Sequence, residues 1–220
     1  MVERPRMREA LVLAGLAAVV ACGRTEEPLG ALPRTAVSVP KASRAQPPAE
    51  SAPDAATGRC MVPLPKQPPP AATAAARCPL DPEAKPPTLP LGSVTFTNAP
   101  ESPVVRVELA SSDATRSRGL MYRTQLPQNQ GMLFSWPTEG IRRFWMHNTC
   151  IPLDMLFIAA DGFITGIVEQ VPTLNDASRS VPCPAAHVLE LNAGWARRHG
   201  VKPGQRVELP GRSDEENARP

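Results

Sequence analysis

Three kinds of chemistry could be written with the side chains of this 220-residue chain. A hydrolase needs an activated nucleophile with its base, or two opposed carboxyls. Neither a GxSxG nor an HExxH pattern occurs, which leaves Asp154 and Glu190, two of 21 acidic residues, as a conceivable acid and base. A soft-metal site would draw on Met121, Met132, Met146, Met155 and His147, since thioethers with an imidazole suit copper in an exported protein. Only three histidines are present, and methionines inside GLM, GML and DMLF serve equally well to fill core gaps, so no metal and no other cofactor is expected. A small-ligand or glycan site needs no nucleophile. Trp145 or Trp136 would give it a stacking wall, and polar residues set within apolar runs would give it directional hydrogen bonds. Asn148 and Thr149 stand in such a place, ahead of Ile151, Pro152, Leu153, Asp154 and a strongly apolar run. Buried polar groups must find partners or meet a ligand. The plainer alternative is that Asn and Asp beside a proline turn bond nearby backbone, and that Arg116 and Glu190 form an ordinary ion pair.

The elements that must hold these residues lie in the second half of the chain. All nine aromatic residues fall between Phe96 and Trp195, whereas 18 of the 28 prolines fall in the first 100 residues, so the front of the chain cannot build a core of its own. Between about 93 and 210, short apolar or alternating runs are separated by turn signals: Val94 to Thr97, Val104 to Leu109, Met132 to Trp136, Arg143 to Met146, Asp154 to Ala159, Phe163 to Val168, His187 to Leu191 and Gln205 to Leu209. Val105, Val107 and Leu109 share one face of a half-buried strand, with Arg106 and Glu108 on the other. Asp161-Gly162 is the strongest hairpin signal. Two short helices are expected, one capped by Ser112 or Asp113 and running through Leu120, the other from Ala193 to His199 and ended by Gly200. The expected fold is mainly β: a small sandwich or distorted barrel of about eight strands with two short helices.

Across this head the runs RSRGLMYR, GMLF, FWMHNTCIPLDMLFI, the DG turn and VLELNAGWARRHGVKPGQRV resemble, in order and spacing, the bacterial and archaeal family called Domain of Unknown Function 192. The resemblance implies a compact, mostly β, frequently exported domain and supplies no reaction. Matching its motifs residue by residue gives the candidate ligand-binding set: Arg116, Trp145, Asn148, Thr149, Asp154 and Glu190, with Met121 and Met146 as apolar walls. His147 stands where the family usually has Lys or Arg. Cys150 replaces a frequent aliphatic residue, which suits an exported member with a staple to Cys183.

The remaining sequence concerns address. Arg4, Arg6 and Arg8 precede an apolar run from Ala10 to Ala21. Its twelve residues would rise only about 18 Å as a helix, against roughly 20 residues for a bilayer span, so residues 1–21 read as a signal peptide. Val19-Val20-Ala21-Cys22 resembles the lipobox of bacterial lipoproteins, in which the thiol carries lipid after cleavage; Gly23, in place of Asp, resembles those sorted to an outer membrane. Residues 22–91, rich in Pro and Ala, read as a disordered tether with an upper reach on the order of 200 Å. The domain is expected over 92–211, and 212–220 as a disordered tail. With Cys22 assigned to lipid, Cys60, Cys78, Cys150 and Cys183 remain for an oxidising compartment, and the most economical of three pairings is local, Cys60 with Cys78 and Cys150 with Cys183. A net charge of +3 with scattered basic residues gives no footprint for nucleic acid. The expected partners are the membrane, through a lipid on Cys22, and an unknown small ligand or envelope component. The resulting expectation is an envelope lipoprotein whose head binds a small ligand, a glycan or an envelope partner, more in keeping with binding than with catalysis.

Overall fold

The computed structural model describes residues 58–83 and 87–211. Eight elements follow one another: β1 (Leu91–Thr95), β2 (Val104–Ala110), α1 (Asp113–Arg118), β3 (Gln130–Gly140), β4 (Leu153–Ile158), β5 (Ile164–Val171), β6 (Ala185–Asn192) and α2 (Trp195–Arg198). The domain is mainly β with two short helices, as expected, but it has six strands. They form one sheet in the order β1-β2-β3-β6-β4-β5, with β2 and β3 parallel and every other neighbouring pair antiparallel.

The two missing strands are informative. Arg143 to Met146 and Gln205 to Leu209 alternate as strands do, yet they touch the rest of the structure through isolated bridges: Phe144 with Arg179, Arg206 with Phe163, and Glu208 with Thr95. The last segment thus reaches both edges of the sheet, at β1 and just before β5. The sheet is open by its ladder, and its edges are stitched together at single positions. That arrangement satisfies exposed edge groups without a full extra strand.

Both faces of the sheet are covered, which is why all six residues of β4 are buried. Alternate residues divide between two cores. Val105, Val107, Leu133, Leu156, Leu189, Leu191 and Trp195 fill the inner one. Met132, Phe134, Leu153, Met155, Phe157 and Val188 fill the outer one, together with Leu120, Met146, Ile151 and Val181 from the covering loops. The expected DG turn joins β4 to β5: Gly162 has φ +83°, and a Cβ there would lie 2.2 Å from the Val207 carbonyl oxygen, so only glycine fits. Helix α1 begins at Ser112, whose hydroxyl accepts from Thr115 N–H in a capping box.

Residues 58–83, expected within the tether, lie against the domain. Val62 N–H donates to Thr165 O at 2.8 Å, Ala72 N–H to Gln170 Oε1 at 2.9 Å and Ala75 N–H to Cys150 O at 2.9 Å. This strap corrects the local disulfide pairing. Cys60 bonds Cys183 and Cys78 bonds Cys150, at sequence separations of 123 and 72. Pairing nearest thiols minimises loop closure in the unfolded chain, but packing of the strap decides which thiols meet in the folded one. The expected leader, Cys22 and most of the tether lie outside the described residues, as does the tail.

Candidate functional site

Glu190 sits on β6, the strand between β3 and β4, and faces the outer core in register with Met132 and Met155. It is 4 % exposed, its carboxyl has no hydrogen-bond or ion-pair partner among the described residues, and burial pushes its pKa up to about 8. The close approach of β3 behind it depends on Gly131, where a Cβ would stand 2.5 Å from the Glu190 carbonyl oxygen.

Above the carboxyl is a cavity of about 30 Å³ lined by Arg116, Leu120, Met121, Phe134, Phe144, Trp145, Thr149 and Glu190, with Ser117 and Arg118 of α1 and Gly119 beyond it. The turn that follows α1 brings Leu120 and Met121 to it. The loop between β3 and β4 brings Phe144, Trp145 and Thr149. Trp145 is 52 % exposed and stacks on His147 with ring centroids 4.9 Å apart. Thr149 is buried and its hydroxyl donates to the His147 carbonyl at 3.2 Å. Arg116 does not pair with Glu190. Its guanidinium donates to the carbonyls of Ser111 and Ser135, binds Asp113 at 2.5 Å and lies over the Trp136 ring. Arg118 is held by Asp81 and over Tyr122.

Four of the six expected site residues, Arg116, Trp145, Thr149 and Glu190, therefore line one cavity. The other two do not. Asn148, at φ +52°, donates from Nδ2 to the Tyr122 hydroxyl at 2.8 Å and accepts Tyr122 N–H on its carbonyl, so it splints two loops. Asp154 pairs across β4 and β6 with Leu191, which turns it to the face opposite Glu190. Its Oδ1 accepts from Gln170 N–H and Gly194 N–H, each at 2.9 Å, and its Oδ2 from Ala196 N–H at 3.1 Å. Burial raises its pKa against the pull of those three donors, with nearby Glu169 adding to the rise. Asp154 is thus a cap for α2 supplied from across the sheet. Two carboxyls on opposite faces cannot work on one substrate, and the acid and base pairing of Asp154 with Glu190 is overturned.

The copper alternative finds no assembled methionine and histidine set. Met132, Met146 and Met155 are buried in the outer core, and His147 directs Nδ1 to Asp176 at 2.9 Å. The described residues hold no group of three or more His, Cys, Asp or Glu placed to bind a metal ion.

Sequence reasoning missed two features. Phe134 and Phe144, in edge-to-face contact at 5.0 Å, wall the cavity; both lie in the GMLF and FWM runs, but nothing in the sequence pairs them. Ser135 Oγ meets His187 Nδ1 at 2.9 Å beside a broader depression of about 480 Å³. Burial and the nearby Arg142 charge lower the His187 pKa against the opposing pull of Glu139, and no described carboxylate hydrogen-bonds the ring. A third depression of about 450 Å³ is rimmed by Arg118, Asp81, Arg123 and Glu108. These charges are already matched in pairs, whereas the Glu190 cavity contains a carboxyl with no hydrogen-bond or ion-pair partner among the described residues.

A mixed six-stranded sheet covered on both faces, with the Glu190 carboxyl beneath a small aromatic-walled cavity, defines a compact β domain. The chain belongs to the DUF192 family, described as an uncharacterised ACR, whose model matches residues 94–209. A solved chain from Sinorhizobium meliloti 1021, provisionally described as a transcription regulator, is 40 % identical with a TM-score of 0.53, over 56 % of this chain and 97 % of that one. A protein of unknown function from Novosphingobium aromaticivorans DSM 12444 is 35 % identical with a TM-score of 0.54, over 62 % of this chain and 95 % of that one. No curated protein matches.

Two disulfides that close long loops fit an oxidising, extracytoplasmic compartment. Among the described residues no helix is long and apolar enough to cross a membrane.

Proposed function

We propose that this protein is a lipid-anchored envelope module that binds a small ligand, or a protruding group of a glycan or envelope partner, in the Glu190 cavity. The observation that carries the reading is Glu190, 4 % exposed, whose carboxyl opens on the cavity and has no hydrogen-bond or ion-pair partner among the described residues. An isolated buried carboxyl costs several kcal/mol in a domain whose net stability is on the order of 10 kcal/mol, and a ligand that bonds it offsets that cost. Trp145, half exposed at the mouth, supplies the apolar contact surface. The anchor rests on Arg4, Arg6 and Arg8, the apolar run to Ala21 and Cys22, and the two disulfides suit the same placement. The regulator description of the Sinorhizobium protein is not carried over, because the basic residues of this sequence are scattered at a net charge of +3.

The binding half is tested on the full chain carrying carbon-13 in its Glu carboxyls. A fragment set with one or two polar atoms per molecule should move the Glu190 signal, and Trp145→Ala should weaken each response. A Glu190 signal indifferent to every fragment would end the reading. The anchoring half predicts palmitate incorporation in the host that is lost in Cys22→Ser; incorporation unaffected by that change would refute it.

A further inference from the structure

From the donor and acceptor inventory of the Glu190 cavity we infer that its occupant is a small ammonium group, one primary amine head of a larger ligand. This deepens the binding reading above and rests on it.

No uncommitted side-chain cation faces the interior, and once its proton leaves the Glu190 carboxyl is an acceptor only. Glu190 offers a carboxyl that no described protein group hydrogen-bonds, although Arg116, Ser117 and Arg118 line the same cavity, and Thr149 has its hydroxyl proton committed to the His147 carbonyl, leaving lone pairs. The cations that line the cavity are spoken for: Arg116 by Asp113 and two carbonyls, Arg118 by Asp81, with Glu83 3.9 Å from it. Neither pairs with Glu190. From β3 and β4 only Met132 and Met155 stand beside the carboxyl in register, so no titratable group of the sheet competes for it. The loop that bears Trp145 contributes no charge to the lining either, because His147 turns to Asp176. Ser117, on the exposed face of α1, is the one uncommitted hydroxyl of the lining.

The walls suit the same guest. Phe134, Phe144 and Trp145 present aromatic surface, and cations are favoured over such rings where water is excluded. A volume of about 30 Å³ admits two water-sized positions, which is the size of methylammonium and less than that of a tetramethylated cation. Binding has a proton consequence. Burial keeps the empty carboxyl protonated at pH 7, so an ammonium guest that pairs with its ionised form must send close to one proton per site into solvent.

Methylammonium is titrated into the full chain, followed by the Glu190 carboxyl carbon-13 signal and by calorimetry in buffers of different protonation enthalpy. Acetamide and tetramethylammonium serve as neutral and oversized comparisons. The expected result is saturable methylammonium binding with release of close to one proton at pH 7 and affinity that rises as pH approaches 8. Glu190→Gln, which reproduces the shape of the protonated acid, should weaken it ~10-fold or more. Trp145→Ala should weaken it ~3-fold. Binding of acetamide but not methylammonium, without proton release, would overturn the ammonium assignment while the cavity stayed a binding site. Methylammonium binding that survives Glu190→Gln would overturn the assignment as well. No response of the Glu190 signal to any of the three would overturn both readings.

Discussion

Two carboxyls lie on adjacent strands of one sheet, both buried, and the sheet separates them completely. Asp154, on the inner face, accepts three backbone N–H groups and joins β5 to the start of α2. Glu190, on the outer face, accepts none. Burial pushes both pKa values upward, but at Asp154 three donors oppose the push, and at Glu190 nothing does. The same residue chemistry is structural where the fold surrounds it with donors and available where the fold leaves it bare. Location in a cleft or a raised pKa alone would not have separated the two; the hydrogen-bond inventory does.

The contrast can be broken first at Asp154. Replacing it with Ala orphans the buried N–H groups of Gly194 and Ala196 and the half-buried one of Gln170 at about 1–3 kcal/mol each, so Asp154→Ala should cost about 5 kcal/mol in urea denaturation and detach α2. A loss under about 1 kcal/mol would mean that water replaces the carboxylate and that Asp154 is not the cap.

A second change loosens only the outer face. Removing Cys78–Cys150 by paired alanines should cost up to about 4 kcal/mol, the chain-entropy value for a loop of its size. Hydrogen exchange should quicken around Trp145 to Cys150, while Gly194 and Ala196 N–H groups, tied to Asp154, keep their protection. Equal acceleration on both faces would contradict the separation of the two cores.

Glu190→Gln should act in the opposite sense from Asp154→Ala. A carboxyl whose folded pKa of about 8 lies above its unfolded value holds a proton in the native state that the unfolded chain has given up. Wild-type stability is therefore fully favoured below about pH 4 and declines as pH rises to about 8, by ~1 kcal/mol per pH unit. The Gln variant lacks this decline, so its advantage in melting experiments should be small at pH 5, grow toward pH 8 and then level off. Parallel pH profiles would show that Glu190 is not buried as an acid.

The smallest expected effect is that of Trp145→Ala. With half its surface already in water and only His147 stacked on it, its loss should change stability by under about 0.5 kcal/mol while weakening ligand binding.

Much of this molecule could be read in advance wherever the information was local. The DG turn, the Ser112 cap and the alternation of VVRVELA each depend on a handful of neighbouring residues, and each is found where it was expected. Arg143 to Met146 and Gln205 to Leu209 misled because alternation describes a segment lying between two environments and does not guarantee a partner along its whole length. The candidate site was legible in part. Thr149 and Glu190 stand out as polar residues in apolar runs and do reach the cavity, but Asn148 and Asp154 stand out in the same way and are used to tie loops and cap a helix.

By itself the sequence determined the type of domain, its turns and its alternating faces, because these follow from side-chain period, glycine and proline, and its motifs carried the family resemblance that the family model bears out. Tertiary structure alone decided that Cys60 meets Cys183, that Arg116 turns to Asp113, and that Asp154 and Glu190 face opposite ways from neighbouring strands. The physical reason is register. A shift of one residue between β4 and β6 would exchange the faces of every side chain, and the choice is made by the packing of both cores at once rather than by any residue's neighbours in the chain.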